Sequence, residues 1–334
     1  MVFFKALVLD KSENGQTTVL RDFDEAGLMD GDVTVRVAYS SLNYKDGLAL
    51  TGMAPVVRRF PMIPGIDFAG IVESSSHPDF KEGDKVLLNG WGTGETHLGA
   101  YAEKTRVKGD WLLHLPKELS MLDAMTIGTA GYTAMLCVIA LERHGITADH
   151  GAVVVSGASG GVGSVAIMLL AKLGWSVSAI TGRLQESTYL KSLGANEILP
   201  RQDFSIPAKP LSKERWGAAI DTVGSNTLAN ILSQIRYDGA VAACGLAGGM
   251  DIPGSVMPFI LRNVALLGVD SVMCPIQKRR EAWERLAKDL NHTQLSQVRS
   301  IISLDEVATA GKKIISGKIK GRTVVEINSS LDRN

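Results

Sequence analysis

The chain has 334 residues, with 35 Lys plus Arg balanced by 35 Asp plus Glu, so its formal net charge is zero. That length exceeds one ordinary core and predicts two domains, while the neutral balance and lack of a basic run argue against nucleic-acid or anionic-membrane partners. No apolar stretch runs uninterrupted for the ~18 residues of a membrane span. The N-terminus is too soon charged for a signal peptide, and the three cysteines form no CxxC pair, so a cytoplasmic protein with reduced thiols is expected.

Taken in chain order, short strand signals dominate the first part. Residues 5–9 and 32–40 read as strands, the second alternating Val33, Val35 and Val37. Pro55, Pro61 and Pro64 impose an irregular stretch, after which 68–73 and 85–88 are further short strands around the turn Lys81-Glu82-Gly83-Asp84. Strands without intervening helices predict a partly closed β structure. The rhythm changes at residues 124–142, which carry a helical pattern with Met125, Ile127, Met135, Leu136, Ile139 and Leu141. From Gly151 onward strands are expected at 153–156, 176–180, 197–199, 217–222, 239–244 and 264–269, with helices such as 162–173 and 225–235 between them. Six strands with helical crossovers predict a doubly wound parallel sheet. Residues 276–290 read as a charged amphipathic helix, and 321–327 as a strand that returns to the first domain.

The turn after the first of these strands reads Ala158-Ser159-Gly160-Gly161-Val162-Gly163, the Ala/Gly-tolerant form of the dinucleotide fingerprint. Gly160 admits the backbone close to a pyrophosphate, Gly163 lets helix and strand approach, and the helix N-terminus offers free N–H groups to the phosphates. About 20 residues further on, an NAD site places an acid on the ribose hydroxyls. Here the second strand ends in Thr181-Gly182-Arg183 instead. Thr181 can donate a hydroxyl, Gly182 leaves room and Arg183 can pair with a 2′-phosphate, so NADPH is expected over NADH. Arg201 follows the third strand as a second cation on the same edge; solvated surface arginines are the alternative reading of both. Later strands end near Leu246 and Ser271, whose backbones are candidates for the nicotinamide half, because strand C-termini line the ligand crevice.

Several stretches, in order, make the chain similar to the medium-chain dehydrogenase/reductase superfamily. They are Ser41-Leu42-Asn43-Tyr44-Lys45-Asp46, Pro64-Gly65-Ile66-Asp67, Gly83-Asp84-Lys85-Val86, Gly99-Ala100-Tyr101-Ala102-Glu103, residues 128–134 and the glycine turn. Pro61-Met62-Ile63, Asn89-Gly90-Trp91-Gly92, residues 107–111 and residues 257–264 carry a narrower resemblance to its acryloyl-CoA reductase branch, the AcuI/YhdH group often labelled quinone oxidoreductase. The resemblance implies an α/β protein in which a Rossmann doubly wound parallel sheet, residues 125–271, is inserted in a GroES-like, mostly β catalytic domain, residues 1–124 plus 272–334. It further implies NADPH in a cleft between the domains, and a homodimer or larger assembly.

Zinc-dependent relatives in that superfamily use a Cys, a His-Glu pair and a further Cys or acid. This chain has Asn43-Tyr44-Lys45-Asp46 and Ile66-Asp67 at those places and no cysteine in residues 90–110, so neither a catalytic nor a structural zinc is expected. Without a Lewis acid, a double bond conjugated to a carbonyl is an easier hydride acceptor than a plain ketone. A thioester such as acryloyl-CoA then needs donors near its oxygen and a proton for its α-carbon. Asn43 and Tyr44 are the catalytic candidates by position, Tyr44 also touching the cofactor; a turn-stabilising asparagine and a wall-forming ring are the plainer alternative. Lys45 and Asp46 read as loop supports, and Asp67 as a structural residue with a functional role as the alternative. The expected partner is an acyl-CoA substrate, with quinone reduction as the nearest alternative and a non-catalytic NADPH-binding protein as the alternative from another class.

Overall fold

The computed structural model describes the whole chain apart from Asn14, Asn291 and Asn334. It divides into two compact units, Met1–Thr129 with Ser271–Ala287 and Leu295–Asn334, and Ala130–Asp270 with Lys288–Gln294.

The second unit is built on six strands, Val153–Val155, Val177–Thr181, Ala195–Pro200, Trp216–Asp221, Ile235–Ala243 and Ala265–Gly268. All five pairings are parallel, and the spatial order is third, second, first, fourth, fifth, sixth. The order reverses beside the first strand, which is the switch point of a doubly wound sheet. Val153, Val154 and Val155 are all fully buried. A strand covered on both faces reads as an unbroken apolar run rather than an alternation. Val154, Ile180, Trp216, Ile231 and Val241 join in one core cluster under the crossover helices. The fifth strand starts earlier than its apolar run suggests. Ile235 pairs with Trp216, then the register shifts before Ala240 meets Ala218, with Asp238 at φ 58° in between. The bulge hides the first half of the strand from any simple alternation, and it ends the preceding helix at Leu232.

The first unit carries a seven-stranded sheet in which Val33–Leu42 is central. That strand pairs antiparallel with Asp67–Ser75 on one side and Arg322–Glu326 on the other, and Lys104–Val107 also pairs with it. The expected return of the C-terminal strand to the first domain is therefore present. A separate hairpin joins Phe3–Ser12 to Gly15–Asp24. Its second strand escaped sequence reading because seven of its ten residues are polar, charged or glycine and its side chains are mostly exposed. Two further elements had weak signals: the helix Tyr44–Thr51, one of whose eight residues is glycine, and the helix Val307–Ile315. They pack on each other through glycines. A Cβ at Gly47 would stand 2.5 Å from Ile314, and one at Gly311 would stand 2.7 Å from Leu50.

The helical stretch Met121–Arg143 bridges the two units in sequence and is broken at Gly128, φ 51° and ψ −161°. By length and hydropathy it could cross a membrane, but 94% of its most apolar window is buried inside the protein. Its apolar face-all-round composition is that of a core helix.

Candidate active site

The first unit holds a buried polar network on three elements. Asn43 caps the helix Tyr44–Thr51, with φ −115° and ψ 161°. Its backbone N–H donates to Asp46 Oδ2 at 2.9 Å, a reciprocal capping arrangement that fixes the helix start. The Asn43 side-chain amide donates to Asp67 Oδ2 at 3.0 Å and to Asp46 Oδ2 at 3.2 Å, and its Oδ1 accepts from Arg322 Nη1 at 3.3 Å. Asp67, at the start of its strand, accepts from the Ser41 N–H at 2.9 Å, the Thr129 N–H at 2.8 Å and the Thr129 hydroxyl at 2.7 Å. Arg322, at the start of the C-terminal strand, donates Nη2 to Ser41 Oγ at 2.7 Å and Nε to the Thr126 carbonyl at 2.9 Å. Asn43, Asp46, Asp67 and Arg322 are all less than a tenth exposed.

Burial, and then the charge of Asp67, lift the Asp46 carboxyl from 3.8 to about 7. Hydrogen bonds from Asn43 and Tyr101 oppose the rise. Burial and the same two acids push the Tyr101 hydroxyl well above its ordinary range. Burial draws Arg322 down against the pull of Asp67 and Asp46. A carboxyl raised to about 7 beside a second carboxylate and a guanidinium is a proton store of the kind active sites build.

Sequence reading placed Asn43 and Tyr44 together as catalytic candidates, and the structure treats them differently. The Asn43 amide is committed inside the network, so its donors are spent on Asp67 and Asp46. Tyr44, the first helical residue, is 41% exposed. Arg322 had no signal in the sequence, since it lies 279 positions from Asn43. Lys45 pairs with Glu95 at 2.8 Å, tying the helix start to the loop at residues 90–97.

Zinc chemistry can be tested against this donor set. Among the described residues no three His, Cys, Asp or Glu side chains converge to hold a metal. Asp67 is already bound by Ser41, Asn43 and Thr129, and the Arg322 guanidinium shares the Ser41 hydroxyl with it. A dication there would face a fixed positive charge, so the residues present do not fit zinc.

In the second unit the glycine turn has the predicted geometry. Gly157 sits at φ 59°, and Gly160 caps the helix Gly161–Lys172. A Cβ on Gly163 would lie 2.5 Å from the Gly157 carbonyl and 2.6 Å from Ala158, so strand and helix touch there only because Gly163 has none. The first-turn N–H groups, at Gly161, Val162 and Gly163, have no intrahelical acceptor. Beside the turn, Ser159 and Thr181 hydroxyls lie 3.1 Å apart. Arg183 reaches over to Ser159, Nε to Oγ and Nη2 to the carbonyl, each at 3.1 Å, while its N–H donates to Thr181 Oγ1 at 3.0 Å. Next to them a cavity of about 180 Å³ is lined by Thr181, Gly182, Leu184, Arg201 and Ser205, among others. A Cβ on Gly182 would come 2.9 Å from Arg201 Cζ, so the arginine lies flat over the glycine. Ser159, Thr181, Gly182, Arg183 and Arg201 are thus assembled at one end of the sheet, without an acid among them. Leu246, 60% exposed, lies on the loop after the fifth strand. Ser271 opens a segment of the first unit, where its carbonyl accepts from Arg279 at 3.3 Å.

Comparison with known proteins bears on both units. Residues 29–117 match the alcohol dehydrogenase GroES-like domain model, and residues 161–288 match the zinc-binding dehydrogenase model. The chain is 53% identical over 324 residues to the probable acrylyl-CoA reductase AcuI of Escherichia coli K12, covering 97% of this chain and all of that one. It is 44% identical over 326 residues to the putative quinone oxidoreductase YhfP of Bacillus subtilis, covering 97% and 99% of the two chains. The crystal structure of the yhdH oxidoreductase from Salmonella enterica, in complex with NADP, superposes with a TM-score of 0.95 at 54% identity, covering 97% and 99%. With both domain models matched in order and this likeness running the length of the chain, the protein belongs to the medium-chain dehydrogenase/reductase superfamily, within its acryloyl-CoA reductase family.

Proposed function

We propose that this chain is an NADPH-dependent reductase of the conjugated double bond of acryloyl-CoA, yielding propanoyl-CoA without a metal ion. The observation that carries the cofactor half is the acid-free cluster of Ser159, Thr181, Arg183 and Arg201 at the end of the second and third strands, which suits a 2′-phosphate and not a bare ribose. The full-length likeness to a relative named acrylyl-CoA reductase supports the substrate half. NADPH, when bound, supplies a hydride. The fingerprint residues Ala158, Ser159, Gly160, Gly161, Val162 and Gly163 would hold its pyrophosphate, Thr181, Gly182, Arg183 and Arg201 its 2′-phosphate, and the Leu246 backbone its nicotinamide half.

In this reading the hydroxyl of the exposed Tyr44 donates to the thioester oxygen and stabilises the enolate. Asn43 acts as a positioning residue, holding the helix that presents Tyr44. Asp46, kept protonatable near neutrality by burial and by Asp67, is a proton reservoir for the network. The poor fit of the donor set to zinc supports metal-free chemistry. The alternative, reduction of quinones, draws support from the 44% identical relative named as a putative quinone oxidoreductase. Comparing kcat/KM for acryloyl-CoA and 1,4-benzoquinone with NADPH decides between them; a quinone value above the acyl-CoA value overturns the first reading.

We further assign the protein to the cytoplasm and to a homodimer or larger assembly. The sixth strand, Ala265–Gly268, is an edge of its sheet, and Ile260 and Leu261 just before it are 73% and 55% exposed. An unpaired edge flanked by exposed apolar side chains suits a second copy. Light scattering that returns a monomer at micromolar concentration refutes the assembly.

A further inference from the structure

We infer that Asp221 is a positioning residue for the cofactor: one carboxylate oxygen holds the phosphate-binding glycine turn, the other the turn that carries the nicotinamide-side loop. The second half rests on the proposed place of the Leu246 backbone beside the nicotinamide. Asp221 is the last residue of the fourth strand, which lies beside the first where the order of the sheet reverses. Dinucleotides lie across that switch point. The ladder between these strands pairs Val153, Val154 and Val155 with Ala218, Ala219 and Ile220. The Ser156 N–H then donates to the Ile220 carbonyl at 3.1 Å, and beyond it side chains take over. Ser156 Oγ donates to Asp221 Oδ1 at 2.6 Å and accepts from the Thr222 N–H at 2.9 Å. The Thr222 hydroxyl donates to the Ser156 carbonyl at 3.1 Å. Directly after Ser156 comes Gly157, whose carbonyl accepts from the Gly160 N–H at 2.9 Å as the turn begins. Fixing Ser156 therefore fixes the turn and the free N–H groups of its helix.

The other oxygen acts on the opposite side of the switch point. Asp221 Oδ2 accepts from the Gly224 N–H at 2.8 Å, closing the turn Thr222-Val223-Gly224 ahead of the helix Ser225–Leu232. That turn anchors the loop after the fifth strand. The Val223 carbonyl accepts from Gly248 at 2.7 Å, and the Ser225 N–H donates to the Asp251 carbonyl at 3.1 Å. Leu246 lies just before the first anchor, its own carbonyl accepting from Gly249 at 3.1 Å. Asp221 and Ser156 are both fully buried. Burial raises the Asp221 carboxyl above its ordinary value, and the bonds from Ser156 and Gly224 oppose the rise. An ionised carboxylate accepts on both oxygens, so one side chain can serve two turns; an alkyl side chain of similar size serves neither. The 2′-phosphate cations Arg183 and Arg201 stand apart from this link, after the second and third strands.

The test measures binding rather than turnover, on the intact protein, with three probes. 2′-AMP reaches the 2′-phosphate site alone, 2′,5′-ADP adds a phosphate at the glycine turn, and NADPH adds the nicotinamide half. In Asp221→Leu the Kd for NADPH should rise about tenfold or more, the worth of a hydrogen bond to a charged group, with a smaller rise for 2′,5′-ADP and under about twofold for 2′-AMP. Ser156→Ala cuts only the phosphate side and should weaken NADPH and 2′,5′-ADP alike. Asp221→Asn keeps an acceptor for Gly224 and a donor for Ser156, and should bind NADPH as the wild type does. Wild-type NADPH affinity in Ser156→Ala, or equal loss of all three probes in either variant, would overturn the inference. Ser156→Ala decides the phosphate side even where Asp221→Leu fails to fold. The binding constants do not depend on which substrate is reduced, so the inference and the proposed reaction stand or fall separately.

Discussion

Arg322 and Asp67 are joined through one hydroxyl: Ser41 Oγ accepts from Arg322 Nη2 at 2.7 Å and donates to the Asp67 carboxylate at 2.7 Å. The cation and the acid thereby share a buried hydrogen-bond partner without a direct salt bridge between them. Removing one member leaves the other charged and uncompensated. Arg322→Met should destabilise the protein by roughly 3–5 kcal/mol in chemical denaturation, and adding Asp67→Asn to it should recover part of the loss. Additive losses in the double variant would show that the two residues are not coupled.

Asp46 makes stability depend on pH in a defined direction. Its folded value of about 7 lies above the ordinary 3.8 of an exposed aspartate. Between those values the folded state holds the proton and the unfolded state does not, so stability is greatest below about 4 from this group and falls as pH rises toward 7. Above 7 both states are ionised and the dependence from this group ends. At about 1.4 kcal/mol per pKa unit the full swing is on the order of 4 kcal/mol. Asp46→Asn should flatten the unfolding free energy measured between pH 5 and 7, a window inside those limits. A slope equal to that of the wild type would remove Asp46 as its source.

The 2′-phosphate assignment separates two cofactors in one experiment. Arg201→Ala should raise the KM for NADPH by about tenfold or more, the worth of a hydrogen bond to a charged group, and leave the KM for NADH unchanged. Equal loss with both cofactors would instead mean that Arg201 only supports the fold around the cavity.

Tyr44→Phe should lower kcat with acryloyl-CoA on the order of 10², the cost of one donor to a developing oxyanion, with little change in thermal stability because the residue is exposed. An unchanged kcat would take Tyr44 out of the chemistry.

Gly47→Val probes the support beneath Tyr44. The new Cβ would press on Ile314 and Ile315 and force the two helices apart. Overpacking of this kind costs about 1–3 kcal/mol. The same displacement should lower kcat by moving Tyr44, and circular dichroism melting alongside turnover would separate the two effects.

Local patterns made most of the nucleotide-binding sheet legible. An all-apolar Val153–Val155 strand, a glycine turn and an apolar helix are neighbours in sequence, so their chemistry is written within a few residues. The bulged start of Ile235–Ala243 was not legible, because its Asp238 and Gly239 break the alternation that marks a strand. The same contrast holds at the candidate site. Asn43 and Tyr44 stood out by position, whereas Asp46 read as a loop support and Asp67 stayed open between a structural and a functional role.

The sequence by itself determined the fold class, the phosphate-binding turn and the missing acid at the ribose position, since each depends on residues adjacent along the chain. Only the tertiary structure decided that Asn43 spends its amide inside a buried network while Tyr44 faces outward, and that Arg322 reaches Ser41 from 281 positions away. Burial and charge proximity set the properties of these groups, and neither is encoded at any single position: both arise when distant strands pair and exclude water.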